Sequence, residues 1–315
     1  MIQVHRDLNN LPKFKKAVVT IGTFDGVHTG HQQIIKQLIT EAEAIKGETV
    51  IITFYPHPRK IISSGTNDVR ILSTLDEKIN LLNKHGIDHL VVVEFTNQFA
   101  QQSAEEYVRD FIVAKFHPST LIIGYDHRFG KNRTGDYHLL EDMGVTYDYK
   151  VKEIPGHILH DITISSTKIR AALLSNDIAT TNEFLGYEYF FSGEIIEGDK
   201  IGRTIGYPTA NIKILDEEKL VPGDGVYAVK VSGENLSTLN GMMYIGTRPV
   251  VNGKYRVIEV NLFDFDGDVY GQILKVEIHH FIRGDIHFTG LEALKIQLAK
   301  DKEATLLSLE SRANS

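Results

Sequence analysis

The chain has 315 residues, 42% of them hydrophobic and 24% charged, which suits two packed globular domains better than one. Its formal net charge of −7 excludes a general attraction to nucleic acid or to an anionic membrane surface, so any polyphosphate site must gather positive charge locally. The absence of cysteine excludes disulfides, thiolate nucleophiles and cysteine-bound zinc or iron–sulfur centres.

Met1–Lys16 is polar, with neither an apolar leader core nor a cleavage pattern, and no apolar run reaches the length of a membrane span. A soluble cytoplasmic protein is therefore expected. Apolar runs at Ala17–Ile21, Thr49–Phe54, His89–Phe95, Thr120–Gly124 and Val145–Val151 are predicted strands. Helical patterns fall between them. Gln32–Ile45 carries Ile34, Ile35, Leu38 and Ile39, and two capping boxes (Thr74 with Glu77, Ser103 with Glu106) open further helices. Strands alternating with helices imply βαβ units and a mainly parallel sheet.

Beyond the helical stretches Ser166–Leu174 and Asp177–Leu185, the texture changes. Short strands are predicted at Tyr189–Ile196, Val226–Val231, Gly241–Ile245, Arg256–Phe263 and Ile273–Phe281, separated by turn-rich pieces such as Pro222–Gly225. Even spacing of this kind predicts an antiparallel barrel or sandwich. Gly290–Arg312 returns to helix, with Leu291, Leu294 and Leu298 on one face. The boundary falls at about 176–187, giving domains 1–182 and 183–315.

The most telling segment is Gly22-Thr-Phe24-Asp25-Gly26-Val-His28-Thr-Gly30-His31, set between a predicted strand and a predicted helix. At the carboxyl edge of an α/β sheet, such a turn meets ligands, and free helical N–H groups attract phosphate. The glycines allow close backbone approach, and two histidines three apart at a helix start can face one ligand. His28 and His31 are also half of a possible metal pair, but no third ligand accompanies them. Asp25 serves equally as a cap of the turn. Three more segments are candidates for the same edge: Thr53–Pro58, Gly124–Arg133 with Asp126, and Ile164–Arg170 with Ser165, Ser166, Thr167, Lys168 and Arg170.

In the second half, Gly202-Arg203-Thr-Ile-Gly206-Tyr-Pro208-Thr209-Ala-Asn211-Ile shapes a loop with two neutral oxygen ligands, Thr209 and Asn211, that suit Mg²⁺ shared with phosphates. Arg256–Phe263 alternates, with Val257, Glu259, Asn261 and Phe263 on one face, and Glu259 is its only acid.

The motifs Gly-x-Phe-Asp-Gly-x-His-x-Gly-His (22–31) and Ile-Ser-Ser-Thr-x-Ile-Arg (164–170), with the Pro-His-Pro and Arg-Phe-Gly-Lys segments, resemble the nucleotidyltransferase module of prokaryotic bifunctional riboflavin kinase/FAD synthetases. Residues 202–212 resemble the riboflavin kinase signature of the same family, so the resemblance covers nearly the whole chain. It implies a Rossmann-like α/β domain followed by a small all-β Greek-key barrel with a terminal helix. It also implies ATP, Mg²⁺, riboflavin, FMN and FAD as ligands, with no nucleic acid or membrane partner and a monomer or weak homo-oligomer. By the same resemblance, His28 and His31 contact ATP phosphates, and Ser165, Ser166, Thr167 and Arg170 close over the nucleotide. Asp126 lies near the substrates, Glu259 is the kinase base, and Arg283 helps cover the flavin. Gly22, Phe24, Asp25, Gly26 and Gly30 line the first site, and Gly202, Arg203, Gly206 and Pro208 the second.

Three positions depart from the pattern: Tyr244 for asparagine, Val250 for threonine and Asn261 for histidine. They motivate a competing expectation, a nucleotidyltransferase whose barrel only binds flavin. A flavin-sensing regulator is the non-enzymatic alternative, and no helix-turn-helix or basic patch accompanies it.

Overall fold

The computed structural model describes residues 1–62, 70–125, 127–154, 164–197, 202, 206–250 and 253–310. The chain divides into two compact units, Met1–Ser166 and Thr167–Ser315.

The first unit is built on a six-stranded parallel sheet of order β1-β4-β3-β2-β5-β6. Its strands are β1 (Gln3–His5), β2 (Val18–Ile21), β3 (Thr49–Tyr55), β4 (His89–Glu94), β5 (Thr120–Gly124) and β6 (Lys150–Ile154). The central strands are buried on both faces, which is why they read as unbroken apolar runs. Ala17, Val19, Ile21, Val50, Ile52, Val91, Val93, Leu121 and Ile123 share one core with Val108, Phe111, Ile112 and Leu140. Helix α1 (Thr29–Ile45) buries Gly30, Ile35, Leu38 and Ala42.

Strand β2 lies between β3 and β5, so successive strands are added first on one side of it and later on the other. The crevice at its carboxyl end is the topological switch point, where open α/β sheets bind ligands. The turn Gly22–His31 occupies that end.

Both capping boxes are formed: Thr74 and Glu77 open α2 (Leu75–Lys84), and Ser103 and Glu106 open the helical segment that continues to Phe116. That segment widens to a π-helix over Tyr107–Val113. Val145–Val151, expected as a strand, is divided. Its first part closes helix α3 (Tyr137–Tyr147), Asp148 turns the chain in the left-handed region, and β6 begins only at Lys150. Gly144 marks the helical alternative, because a side chain there would stand 2.7 Å from the carbonyl oxygen of Tyr149.

The second unit begins within helix α4 (Ser166–Leu174), at Thr167, and continues with α5 (Ile178–Leu185) and a closed six-stranded barrel of order β10-β11-β8-β7-β12-β9. The strands are β7 (Phe190–Ile196), β8 (Ala210–Ile214), β9 (Gly225–Gly233), β10 (Leu236–Val250), β11 (Gly253–Leu262) and β12 (Ile273–Arg283). All pairs are antiparallel, and the β8–β9 and β11–β12 connections cross the barrel in Greek-key fashion. Strand β8 falls where the sequence suggested only a loop. β11 is buried on both faces, with Val257 and Asn261 as enclosed as Ile258 and Val260, and Phe263 just beyond it is buried as well.

Helix α6 (Leu291–Glu310) ends the described chain. Its buried residues are Asp301, Thr305 and Leu309, and Leu291, expected to face the protein, is exposed. The polar anchor replaces the apolar one because Asp301 pairs with Arg283 on β12. No described helix is long and apolar enough to cross a membrane.

Candidate nucleotide-transfer sites

Strain is concentrated in the turn after β2. Phe24, Gly26 and Val27 all have positive φ (46°, 82° and 38°). A β-branched residue in that region is uncommon, and strain of this kind persists where surrounding contacts over-determine the backbone. Those contacts are present. Asp25 Oδ1 accepts from the Leu72 and Ser73 amides at 2.9 and 3.1 Å, Ser73 Oγ accepts from Gly26 N at 3.0 Å, and Thr53 Oγ1 donates to Thr23 O at 3.1 Å. Asp25 is thus a buried strut of the turn.

His28 is the N-cap of α1, its Nδ1 accepting from His31 N at 3.4 Å. The two imidazoles stack with centroids 3.7 Å apart, and Phe24 packs 4.9 Å from His31. Gly30 leaves room beside them, since a side chain there would crowd the His28 ring at 3.2 Å. His31 Nδ1 is sealed from solvent without a hydrogen-bond partner among the described residues. Burial, and then the charges of His28 and Lys78, hold the His31 pKa well below its ordinary value. His31 is therefore a neutral hydrogen-bonding imidazole at pH 7.

Ser165 and Ser166 end the first unit, and Ser166 Oγ donates to Asp25 O at 3.0 Å, tying this hydroxyl to the turn. Thr167 and Arg170 continue along α4 in the second unit. Asp126 lies outside the described residues, and the segment that follows it is held against Gln102 and Ala104. Lys131 N donates to Gln102 O at 2.7 Å, and Gly130, at φ 72°, would bring a side chain within 2.7 Å of Ala104 backbone. His127, Phe129 and Tyr107 form a continuous aromatic file from this loop into the π-helical segment.

Sequence reasoning passed over Lys78. It lies one turn into α2, on the same buried face as Leu81 and Leu82, three and four residues on. A lysine in an apolar helical stripe was the available signal. Its Nζ reaches Thr53 Oγ1 at 3.4 Å, and burial lowers its pKa to about 8 against the opposing pull of Asp25.

The second site lies on the barrel. In the register of β8 with β11, Asn211 stands directly opposite Glu259. Opposed residues of an antiparallel pair have neighbouring side chains on one face, and Thr209, two residues before Asn211, shares it. Thr209 Oγ1 lies 3.4 Å from Glu259 Oε2. The loop before β8 closes through Tyr207 N donating to Gly202 O at 2.8 Å. Gly202 fits only as glycine, because a side chain would overlap the Tyr207 carbonyl. Gly206 supplies the positive φ (85°) of the turn. Arg203 lies outside the described residues.

Two of the three departures have evident packing. Asn261 Nδ2 donates to Pro208 O at 2.7 Å, pinning the loop to β11. Tyr244, opposite Glu259 on the other flank of β11, lies over Gly246 and reaches Asp285 Oδ1 at 3.3 Å. The side chain of Val250 is outside the described residues. A cleft of about 400 Å³ opens beside the loop, lined by Tyr207, Pro208, Asn261, Phe263, Phe265 and Lys302 among others.

Arg283 is committed to Asp301, with bonds of 2.7 to 3.1 Å from both Nε and Nη2, and Gln297 Nε2 adds a donor at 2.8 Å. Oxygen donors gathered at Thr209, Asn211 and Glu259 fit a hard cation such as Mg²⁺. Among the described residues no cluster of three or more His, Asp or Glu forms a self-sufficient metal cage.

A strained glycine-rich turn at a sheet switch point, and a carboxylate flanked by hydroxyl and amide on a barrel, are parts that suit a two-unit nucleotide-using transferase. The comparisons agree with that class. Residues 11–168 match the FAD synthetase family model and 185–309 the riboflavin kinase model. The bifunctional riboflavin kinase/FMN adenylyltransferase of Haemophilus influenzae is 37% identical over 96% of this chain and 97% of its own. That of Listeria monocytogenes is 37% identical over 91% of each. A crystal structure described as a macrolide-efflux protein from Streptococcus pneumoniae aligns with TM-score 0.86 and 28% identity, covering 96% of this chain and 98% of that one. The chain belongs to the bifunctional riboflavin kinase/FMN adenylyltransferase family.

Proposed function

We propose that this chain phosphorylates riboflavin to FMN on its barrel and adenylylates FMN to FAD on its α/β sheet, using ATP in both steps. The observation that carries the reading is the registration of Asn211 and Thr209 with Glu259, in a chain whose two halves match the two family models in tandem. We assign adenylylation to residues 1–182 and phosphorylation to 183–315.

In adenylylation the FMN phosphate attacks the α-phosphorus of ATP and pyrophosphate leaves. A phosphate monoester with a second pKa of about 6 is already anionic at neutral pH, so no base is needed. The step needs alignment and neutralisation of charge on the leaving group. Neutral His31, His28, the α1 amides and the hydroxyls of Ser165, Ser166 and Thr167 supply donors, Arg170 supplies charge, and Asp126 lies near the substrates.

The kinase step is different, because the ribityl hydroxyl is a weak nucleophile. Glu259 accepts its proton as oxygen attacks the γ-phosphorus and ADP leaves. Thr209 and Asn211 would hold Mg²⁺, which when bound neutralises phosphate charge. Gly202, Arg203, Gly206 and Pro208 shape the phosphate loop. Arg283 acts on flavin cover through α6, which it anchors.

We further read the protein as cytoplasmic, acting on small molecules alone, and monomeric or weakly self-associating. Sedimentation at several concentrations tests the last point.

The functional test supplies riboflavin, ATP and Mg²⁺ to the purified chain and separates the flavins by chromatography. FMN and FAD are both expected. FAD formed only from added FMN would remove the kinase assignment. Glu259→Gln is expected to lower FMN formation by roughly 100-fold or more while sparing FAD formation from added FMN. His31→Ala should do the reverse, and equal loss of both activities in either variant would contradict separate sites.

A further inference from the structure

Lys78 is the only lysine or arginine of the first unit that is buried among the described residues, at 7% exposure. It sits where the carboxyl ends of β2 and β3 meet the turn: its partner Thr53 in turn holds Thr23 O, and its charge is felt by both Asp25 and His31. An ammonium has three N–H donors. Lys78 uses one, in the long 3.4 Å contact to Thr53, and forms no ion pair among the described residues. A lysine kept only for packing would be tied off by a carboxylate, since buried donors left unmet are costly. The nearby carboxylate is occupied elsewhere, because Asp25 accepts from two backbone amides.

The turn lacks another cation of its own. His31 is neutral, and a chain of net charge −7 offers no background attraction for a triphosphate. With its pKa at about 8, Lys78 remains mainly protonated at neutral pH.

We propose that Lys78 is a further catalytic residue of the adenylylation site, its two open N–H donors taking a phosphate oxygen of ATP. The proposal rests on the adenylyltransferase reading above. The bond from the FMN phosphate oxygen to the α-phosphorus forms, and the bond from that phosphorus to the bridging oxygen breaks. Its electron pair leaves with pyrophosphate. Lys78 keeps its proton throughout and neutralises the charge that builds on the departing group.

The chain has no cysteine, so Lys78→Cys introduces a unique thiol. The full-length variant, alkylated while unfolded and then refolded, yields either an aminoethyl side chain, which restores an ammonium at lysine length, or a neutral carbamidomethyl one. The thermal transition of the α/β unit, followed by calorimetry, reports refolding of the unit that carries Lys78, and riboflavin phosphorylation by the same preparation reports that of the barrel. Lys78→Met, needing no refolding, is assayed beside them.

The neutral forms are expected to lose roughly 100-fold in kcat for FAD formation, with KM for FMN little changed, and the aminoethyl form to recover most of it. Recovery by carbamidomethyl equal to that by aminoethyl would assign Lys78 to packing and overturn the proposal. So would Lys78→Met at near wild-type kcat, or an aminoethyl form that regains the α/β transition and kinase activity but not adenylylation. Absence of FAD with the unsubstituted chain would instead overturn the reading beneath it.

Discussion

Two imidazoles at 3.7 Å cannot both carry charge, and a lysine buried beside them makes protonation dearer still. The consequence for His31 has a definite sign. The unfolded chain takes up a proton near pH 6.5 that the folded chain refuses, so stability is complete above that pH and is lost as pH falls below it. His31→Gln should flatten the acid limb of thermal unfolding of the α/β unit below about pH 6.5. An unchanged limb would remove His31 from the balance. Lys78 acts at the other end of the scale. Its folded pKa, near 8 rather than 10.5, means the unfolded state binds more protons in between, so stability rises with pH across that window. Replacing Lys78 with Met at pH 7 should therefore stabilise the α/β unit by up to about 3 kcal/mol while FAD formation falls. Calorimetry showing a loss would mean the ammonium is structural. The turn itself was legible in the sequence because its glycines fall between an apolar run and a helical pattern, which mark a strand-to-helix connection. Lys78 was not, because its meaning depends on Thr53 and Asp25, which only the fold brings beside it.

At the level of elements, signals within a few residues were read well and those set by distant partners were not. Thr74 with Glu77 and Ser103 with Glu106 are self-contained devices, and both form as expected. Strand β8 is short, follows Gly206 and Pro208, and exists because β7 and β11 flank it. The strand that carries Glu259 is likewise buried on both faces, which its alternating pattern did not show. Helix α6 shows the difference most plainly: its leucine spacing suggested an apolar face, yet Asp301 and its two-pronged pair with Arg283 hold it. Removing one partner of such a buried pair leaves the other uncompensated, so Asp301→Ala should cost on the order of 3–5 kcal/mol in urea unfolding of the barrel. Asp301→Asn, which keeps a hydrogen-bond acceptor, should cost less. A cost below 1 kcal/mol for the alanine variant would show that apolar contacts anchor the helix.

For the whole molecule, the alternation of strand and helix gave way to closely spaced strands, and that contrast was enough to divide the chain into an α/β and an all-β half. The helices at the join were harder to allocate by pattern, because helix belongs to both halves. Their hydrogen bonds allocate them: Gly223 N donates to Leu173 O at 3.3 Å, and Asn182 Nδ2 to Ile278 O at 2.9 Å. Assigning separate chemistry to each half predicts that a lesion in one spares the other, as the paired Glu259 and His31 variants measure.

The sheet order carries a consequence for biosynthesis. β2, the strand from which the Gly22–His31 turn springs, pairs with β3 about 30 residues later, but with β5 only across the register of Val18 with Thr120. A ribosome adding roughly 5–20 residues per second delivers that second neighbour about 4–14 seconds after the first. Throughout that interval the nascent chain displays an apolar strand with one edge unpaired, the kind of surface that chaperones bind and aggregates recruit. Synonymous codons that slow translation between β3 and β5 would lengthen the exposure. The yield of soluble protein should fall with them, although the amino-acid sequence is unaltered.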